Sequence, residues 1–311
     1  AGRCGAVARG PIIARLLRER FRQQCLTSAR GRLRYPRCMA EYSHTSAHHR
    51  LHVTDRDGVR TLRFERHQQS SMRLDDPFAT DIEYVGYLHL TLAIAPKPRR
   101  ALVIGLGGGT LVKQLWRDHP ALHIDAVEMD AEVAAIAREL FALPDDPRIA
   151  VHVTDGRTFL EASDDAYDII VIDAYDDDHI PRPLVTEEFM RAAYAHLAPD
   201  GVVAYNVIGT IAGTQSKPLR SLHRTASNVW RHVWLFRVDA SVPGEQRPEN
   251  VILLASDAEL TDDVVLERIA GRVDGSVSVP GFERFGEQLY RGPLRTGDVP
   301  ILTDPPSRRR R

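Results

Sequence analysis

The stretch Arg100–Asp130, RALVIGLGGGTLVKQLWRDHPALHIDAVEMD, constrains the fold of this chain more than any other. An apolar run, Ala101–Ile104, enters a turn rich in glycine (Gly105, Gly107, Gly108, Gly109). A helical pattern follows, and a second apolar run ends on Val127-Glu128. This is the pattern of a βαβ unit with a small-molecule site at its carboxyl edge. Glycines let the backbone turn sharply and approach a ligand closely, and the acid after the second strand can accept both hydroxyls of a ribose. Turn and acid together predict a nucleoside without saying which one.

The alternation continues downstream. Strands are predicted at Ile149–Val153, Asp168–Ile172 and Val202–Asn206, and helices at Thr110–Arg117, Ala131–Phe141, after Asp155-Gly156 and at Thr186–His196. Such alternation requires an α/β fold, a Rossmann-like parallel sheet with helices on both faces. Helix Ser216–Val229, strands Val233–Val238 and Asn250–Ala255, and helix Thr261–Arg272 predict an antiparallel finish. Upstream, Leu51–Val53 and Thr61–Phe64 flank the turn Asp55-Arg56-Asp57-Gly58, which reads as a small β-rich unit. A helix capped by Thr80 or Asp81 and running to about Ile94 follows. The expected organisation is a basic, disordered arm at 1–38, an N-terminal β-rich unit at 39–79, a Rossmann-like catalytic domain at 80–303 and a basic tail at 304–311.

A formal net charge of -1 over 311 residues gives no reason to expect a nucleic-acid partner. No apolar run approaches the roughly 20 residues of a membrane span, so the chain is expected to be soluble and to have no membrane partner. The three cysteines, Cys4, Cys25 and Cys38, form no CxxC pair, which fits a reduced, cytoplasmic setting. The arm sets its arginines, from Arg3 to Arg37, against the single acid Glu19. Transit peptide, disordered tail and upstream translation ahead of Met39 all fit that composition. His44, His48, His49 and His52 do not have the spacing of a known zinc site, and no metal is expected.

Chemistry concentrates at strand ends. Glu128, Asp155 and Asp173 each follow an apolar strand, so all three belong on the carboxyl edge where open α/β sheets bind ligands. Asp155-Gly156 suits a carboxylate that accepts from an adenine amino group, which tilts the nucleoside toward an S-adenosyl compound. Asp173 opens the acidic loop VIDAYDDDHIP, with Asp176 three residues on. Two carboxylates there can hold a cationic amine and take its proton as nitrogen attacks a carbon bonded to sulfonium sulfur. Their mutual repulsion is expected to make one easier to protonate, while Asp177 and Asp178 read as a solvated loop.

From about His48 to Ile301 the chain resembles the spermidine synthase (polyamine aminopropyltransferase) family, in particular its divergent, shorter bacterial branch. The family's GGGDGG turn stands as Gly105–Thr110, its VEID as Val127–Asp130, its DG pair as Asp155-Gly156, and its DSSD motif as Asp173-Ala174-Tyr175-Asp176. Phe64–Gln69 resembles LDGxxQ with Gln69 keeping the glutamine, Tyr87 matches the tyrosine before the glycine turn, and Asn206 weakly matches the QGE after the fifth strand. The resemblance implies transfer of an aminopropyl group from decarboxylated S-adenosylmethionine to an amine such as putrescine. It implies Asp173 as base, and Asp176, Tyr87, Gln69 and Tyr175 at the acceptor. It further implies Gly105, Gly107, Gly108, Gly109, Glu128, Asp155 and Gly156 at the donor, and a homodimer built through N-terminal strands. Gly108 stands where the family has the acid that meets the donor's amine, and Leu88-His89 replace a polar-acidic pair. Two alternatives therefore stand beside this expectation: an S-adenosylmethionine-dependent methyltransferase, and a non-catalytic nucleoside-binding relative.

Overall fold

The computed structural model describes residues 41–176, 179–238 and 248–306. The arginine-rich arm with its cysteines, the pair Asp177-Asp178 and the Arg308–Arg311 tail lie outside the described residues.

The N-terminal unit is an antiparallel sheet in the order β1 (Glu41–Thr45), β2 (Arg50–Arg56), β3 (Val59–Phe64), β4 (His67–Arg73). Between β2 and β3 the chain turns on Asp57 and Gly58, both at positive φ (53° and 81°), a two-residue turn whose twist matches that of the strands it joins. Leu51, Val53 and Leu62 alternate onto one buried face, which fixes the register. The outer strands β1 and β4, EYSHT and HQQSSMR, escape an apolar-pattern reading because most of their side chains are polar; pairing with β2 and β3 holds them in the sheet.

The helix expected to run from 80 to 94 is instead two short ones, α1 (Glu83–Leu88) and α2 (Thr91–Ile94). Neither Thr80 nor Asp81 is the cap. Ile82 takes that place, and Thr80 Oγ1 accepts from the Ile82 N–H at 3.1 Å. The segment from Leu88 to Ile94 is buried on all sides, and the break lets neighbouring side chains face the core where a straight helix would turn some of them out. His89 is enclosed there, with Nε2 3.0 Å from Gln114 Oε1, and burial pushes its pKa down to about 4, so it is neutral.

The larger sheet contains β5 (Arg100–Ile104), β6 (His123–Glu128), β7 (Ile149–Val153), β8 (Tyr167–Ile172), β9 (Leu197–Gly209), β10 (His232–Arg237) and β11 (Glu249–Ser256). Their order is β10-β11-β9-β8-β5-β6-β7. Strands β5 to β9 run parallel, and β11 and β10 are antiparallel, as predicted. This is a methyltransferase-type Rossmann-like sheet. Helices α3 (Thr110–Asp118), α4 (Ala131–Leu140), α5 (Gly156–Ala162), α6 (Glu187–Ala195), α7 (Lys217–Ser227) and α8 (Asp262–Ala270) cover it. Strand β8 is buried on both faces from Ile169 to Ile172, as a continuous apolar run in a parallel sheet should be. The order reverses between β5 and β8, whose adjacent carboxyl ends open a crevice. The N-terminal sheet packs through Leu51, Val53 and Leu62 against Val133, Ile136 and Phe141 at α4, which brings its own loops over that crevice.

Candidate active site

The crevice is a cleft of about 350 Å³. It lies between the loops that follow β5, β6, β7 and β8, the start of α1, and the N-terminal sheet. Gly105 leaves β5 at a φ of 98°, and a Cβ there would lie 2.2 Å from the Asp173 carbonyl oxygen. Glycine is thus required for the turn to lie against the acidic loop.

Glu128 closes β6 and reaches back to this turn. Its Oε2 accepts from the N–H groups of Leu106 (3.2 Å) and Gly107 (3.4 Å), and Oε1 accepts from the Asp130 N–H (3.0 Å). Burial raises its pKa, and the three amides oppose that shift. Asp155 caps α5, with Oδ1 accepting from the Thr158 N–H and hydroxyl at 2.8 Å each. Both acids line the cleft with carboxylate capacity left over, since each oxygen has more than one lone pair.

Asp173 sits beyond β8. Asn206 Nδ2, from β9, donates to its Oδ1 at 2.8 Å, and the Tyr84 hydroxyl from α1 hydrogen-bonds the same carboxylate. Asn206 is itself oriented by Asn250 Nδ2, which donates to Asn206 Oδ1 at 2.8 Å. Burial raises the Asp173 pKa to about 7, against the lowering effect of Asn206 and Tyr84. Repulsion from Asp176 was the expected cause of such a shift; Asp176 is instead exposed at the rim, and desolvation does the raising. Tyr175 lines the cleft with its hydroxyl donating to the Asn206 carbonyl at 2.7 Å. Gln69 lines it from β4.

Three expected site residues lie elsewhere. Tyr87 is buried and stacks on Phe285 at 3.9 Å, away from the cleft, and Tyr84 one helical turn earlier occupies the expected place. Gly108 and Gly109 are buried under the turn and do not reach the cleft. A Cβ on Gly108 would lie 2.7 Å from Phe141 Cδ1 and 2.9 Å from Ser70 Cβ, and one on Gly109 2.8 Å from Leu143 Cδ1. Ser70 Oγ accepts from the Gly108 N–H at 2.7 Å and lines the cleft in its own right.

Sequence reasoning missed Tyr84, and it missed His48 and His49 as part of the cleft wall. Tyr84 and Tyr87 are three apart on one short helix, so periodicity alone does not tell them apart. The two histidines are held over the opening by Ser46, whose hydroxyl donates to the Asp130 carboxylate and accepts from the His48 and His49 N–H groups. His49 also stacks on Phe64 at 4.3 Å. No local signal in the sequence announces a contact between Ser46 and Asp130.

Residues 84–231 match the spermine/spermidine synthase domain. A probable polyamine aminopropyl transferase of Bifidobacterium longum is 33% identical over 186 residues, 57% of this chain and 41% of that protein. A polyamine aminopropyltransferase of Vibrio vulnificus is 35% identical over 133 residues, 41% of this chain and 44% of that protein. The chain thus spans less than half the length of these relatives. In fold it is similar to a probable spermidine synthase from Corynebacterium glutamicum, with a TM-score of 0.66 and 21% identity, covering 83% of this chain and 99% of that one. Over residues 84–231, and in the motifs that the fold gathers at one sheet edge, the chain is similar to the spermine/spermidine synthase domain.

Proposed function

We propose that this protein transfers an aminopropyl group from decarboxylated S-adenosylmethionine to a small amine such as putrescine. The observation that carries the reading is the charge of the cleft: its described lining contains Glu128, Asp155, Asp173 and Asp176 and neither lysine nor arginine. Such a wall favours two cationic reactants over a donor bearing a carboxylate. Glu128 and Asp155 hold the nucleoside, with Gly105, Gly107 and Gly156 giving close backbone approach. Gln69, Tyr84, Tyr175 and Asp176 surround the amine.

Asp173 is the base. With a pKa of about 7 it is partly ionised near neutrality and takes a proton from the acceptor ammonium, freeing the nitrogen lone pair. Nitrogen then attacks the methylene carbon next to sulfur. A C–N bond forms, the C–S bond breaks, and its electron pair neutralises the sulfonium to a thioether. Asn206 and Tyr84 keep the carboxylate aimed during this step. No metal takes part in this scheme.

The competing reading, methyl transfer from S-adenosylmethionine, draws on the missing acid at Gly108. Calorimetric titration with both donors and their thioether products separates the two. Tighter binding of the decarboxylated donor is expected. Preference for the carboxylated donor overturns the proposal, and nucleoside binding without turnover of either donor points to the non-catalytic relative. A homodimer remains part of the proposal, to be checked by sedimentation. Among the described residues no helix is long and apolar enough to cross a membrane.

A further inference from the structure

The segment Leu302-Thr303-Asp304 lies outside the cleft and is bound by α6, by α7 and by Arg157 and Arg182, which adjoin the cleft wall. The Glu187 N–H donates to the Leu302 carbonyl at 2.7 Å, and the Leu302 N–H donates to Thr225 Oγ1 at 2.9 Å. Arg182 donates to the Thr303 carbonyl at 3.1 Å, and the Asp304 N–H donates to Glu188 Oε2 at 2.9 Å. The Asp304 carboxylate takes both arms of Arg157, at 2.7 Å each. A planar fork on a carboxylate fixes direction as well as distance.

Arg157 follows Gly156 directly, so its backbone belongs to the first turn of α5 beside the nucleoside acid Asp155. Its Nη1 also lies 3.4 Å from the Pro183 carbonyl and 3.5 Å from Thr186 Oγ1, and its Nε donates to Glu161 at 2.6 Å. Pro181, Pro183 and Leu184 form the cleft wall that follows the acidic loop. That wall is a single turn closed by its own backbone, the Leu184 and Val185 N–H groups donating to the Pro181 and Arg182 carbonyls at 2.9 and 3.2 Å, and side chains tie the turn to its surroundings. Tyr205 supplies one such tie from the sheet side, its hydroxyl donating to the Leu184 carbonyl at 2.9 Å. The guanidinium of Arg157 supplies another from the solvent side, through the Pro183 carbonyl. With Arg157 20% and Asp304 31% exposed, the pair is neither buried nor free in water.

We propose that the Arg157–Asp304 pair is a positioning latch for the amine acceptor. It holds the Pro181–Leu184 wall against the first turn of α5, and so sets where an amine rests relative to Asp173 without touching that amine. The identity of the positioned substrate rests on the aminopropyl reading above; the latch itself does not.

The test uses Asp304→Asn and Asp304→Glu in the full chain. Asp304→Asn is expected to raise KM for putrescine about fivefold, the upper range for a partly exposed ion pair, with kcat and the dissociation constant of the thioether nucleoside unchanged. Asp304→Glu, which keeps a carboxylate for Arg157, is expected to retain most of the wild-type KM. Independently of turnover, deuterium exchange at the amides of residues 184–186 should quicken in Asp304→Asn while β5 and β8 stay as protected as before. Unmoved exchange and unmoved KM overturn the latch, as does an equal loss of nucleoside and acceptor binding. A wild-type protein that transfers no aminopropyl group defeats the functional reading alone, and the exchange experiment then still decides the latch.

Discussion

The two halves of the cleft, which the proposed reaction assigns to the nucleoside and to the amine, are built differently. On the nucleoside side each acid is fixed by backbone near it in the chain or one strand away: Glu128 by amides of the glycine turn and of Asp130, Asp155 by the first turn of its own helix. On the amine side Asp173 is fixed by side chains from distant segments, Tyr84 on α1 and Asn206 on β9, with Asn250 behind them. The first construction holds a carboxyl group in place with amides that cannot move far. The second surrounds a carboxylate with few compensating charges, so its proton affinity becomes adjustable. In the proposed reaction, binding and proton transfer thereby fall to separate parts of one sheet edge.

The sharpest way to break this division is Asp173→Asn. It is expected to lower kcat by about two to four orders of magnitude, the usual worth of a general base, while titration calorimetry finds nucleoside affinity unchanged. Retained turnover would remove Asp173 from its role. Glu128→Gln should do the opposite, because an amide cannot accept from all three backbone N–H groups that now converge on the carboxylate. Donor affinity is expected to fall about ten- to a hundredfold, the range for losing a hydrogen bond to a charged group, with kcat at saturating donor kept.

Gly108→Asp restores the acid of the family motif in sequence but not in space. With Phe141 Cδ1 2.7 Å from the new Cβ, overpacking should cost about 1–3 kcal/mol in urea unfolding without improving selection of the decarboxylated donor. A gain in donor affinity with no loss of stability would mean that the ground beneath the turn can open.

The smallest expected effect is on pH. Attack needs ionised Asp173, so kcat/KM should rise with pH along a limb near 7. Asn206→Ala removes a donor that favours the charged form and should move that limb to higher pH. Stability runs the other way. Because the folded pKa of about 7 lies above the ordinary 3.8, this group's contribution is complete below about 3.8 and is lost as pH rises through about 7. Thermal melts from pH 4 to 8 should find Asp173→Asn gaining on wild type as pH increases. A limb that stays fixed in Asn206→Ala would mean that Asn206 does not tune the base.

The nucleoside half was legible in the sequence because its parts recur at short spacing: apolar strand, glycine turn, acid, and later Asp155-Gly156 at a helix start. The amine half was legible at Gln69, Asp173, Tyr175 and Asp176, and weakly at Asn206. The motif match selects Tyr87, whereas α1 stacks Tyr87 on Phe285 and presents Tyr84 to the carboxylate. The motif reading also placed Gly108 and Gly109 on the ligand, whereas the turn buries them against Phe141 and Leu143.

By itself, then, the sequence determined the α/β sheet, its antiparallel finish and the acids at its carboxyl edge, because hydrophobic period and strand-end position are local properties of the chain. Tertiary structure alone decided which tyrosine meets Asp173, why that acid is hard to ionise, and that Arg157 reaches Asp304 across the surface. Each of these depends on burial or on contact between segments far apart in the chain, and neither has a period that a linear pattern can carry.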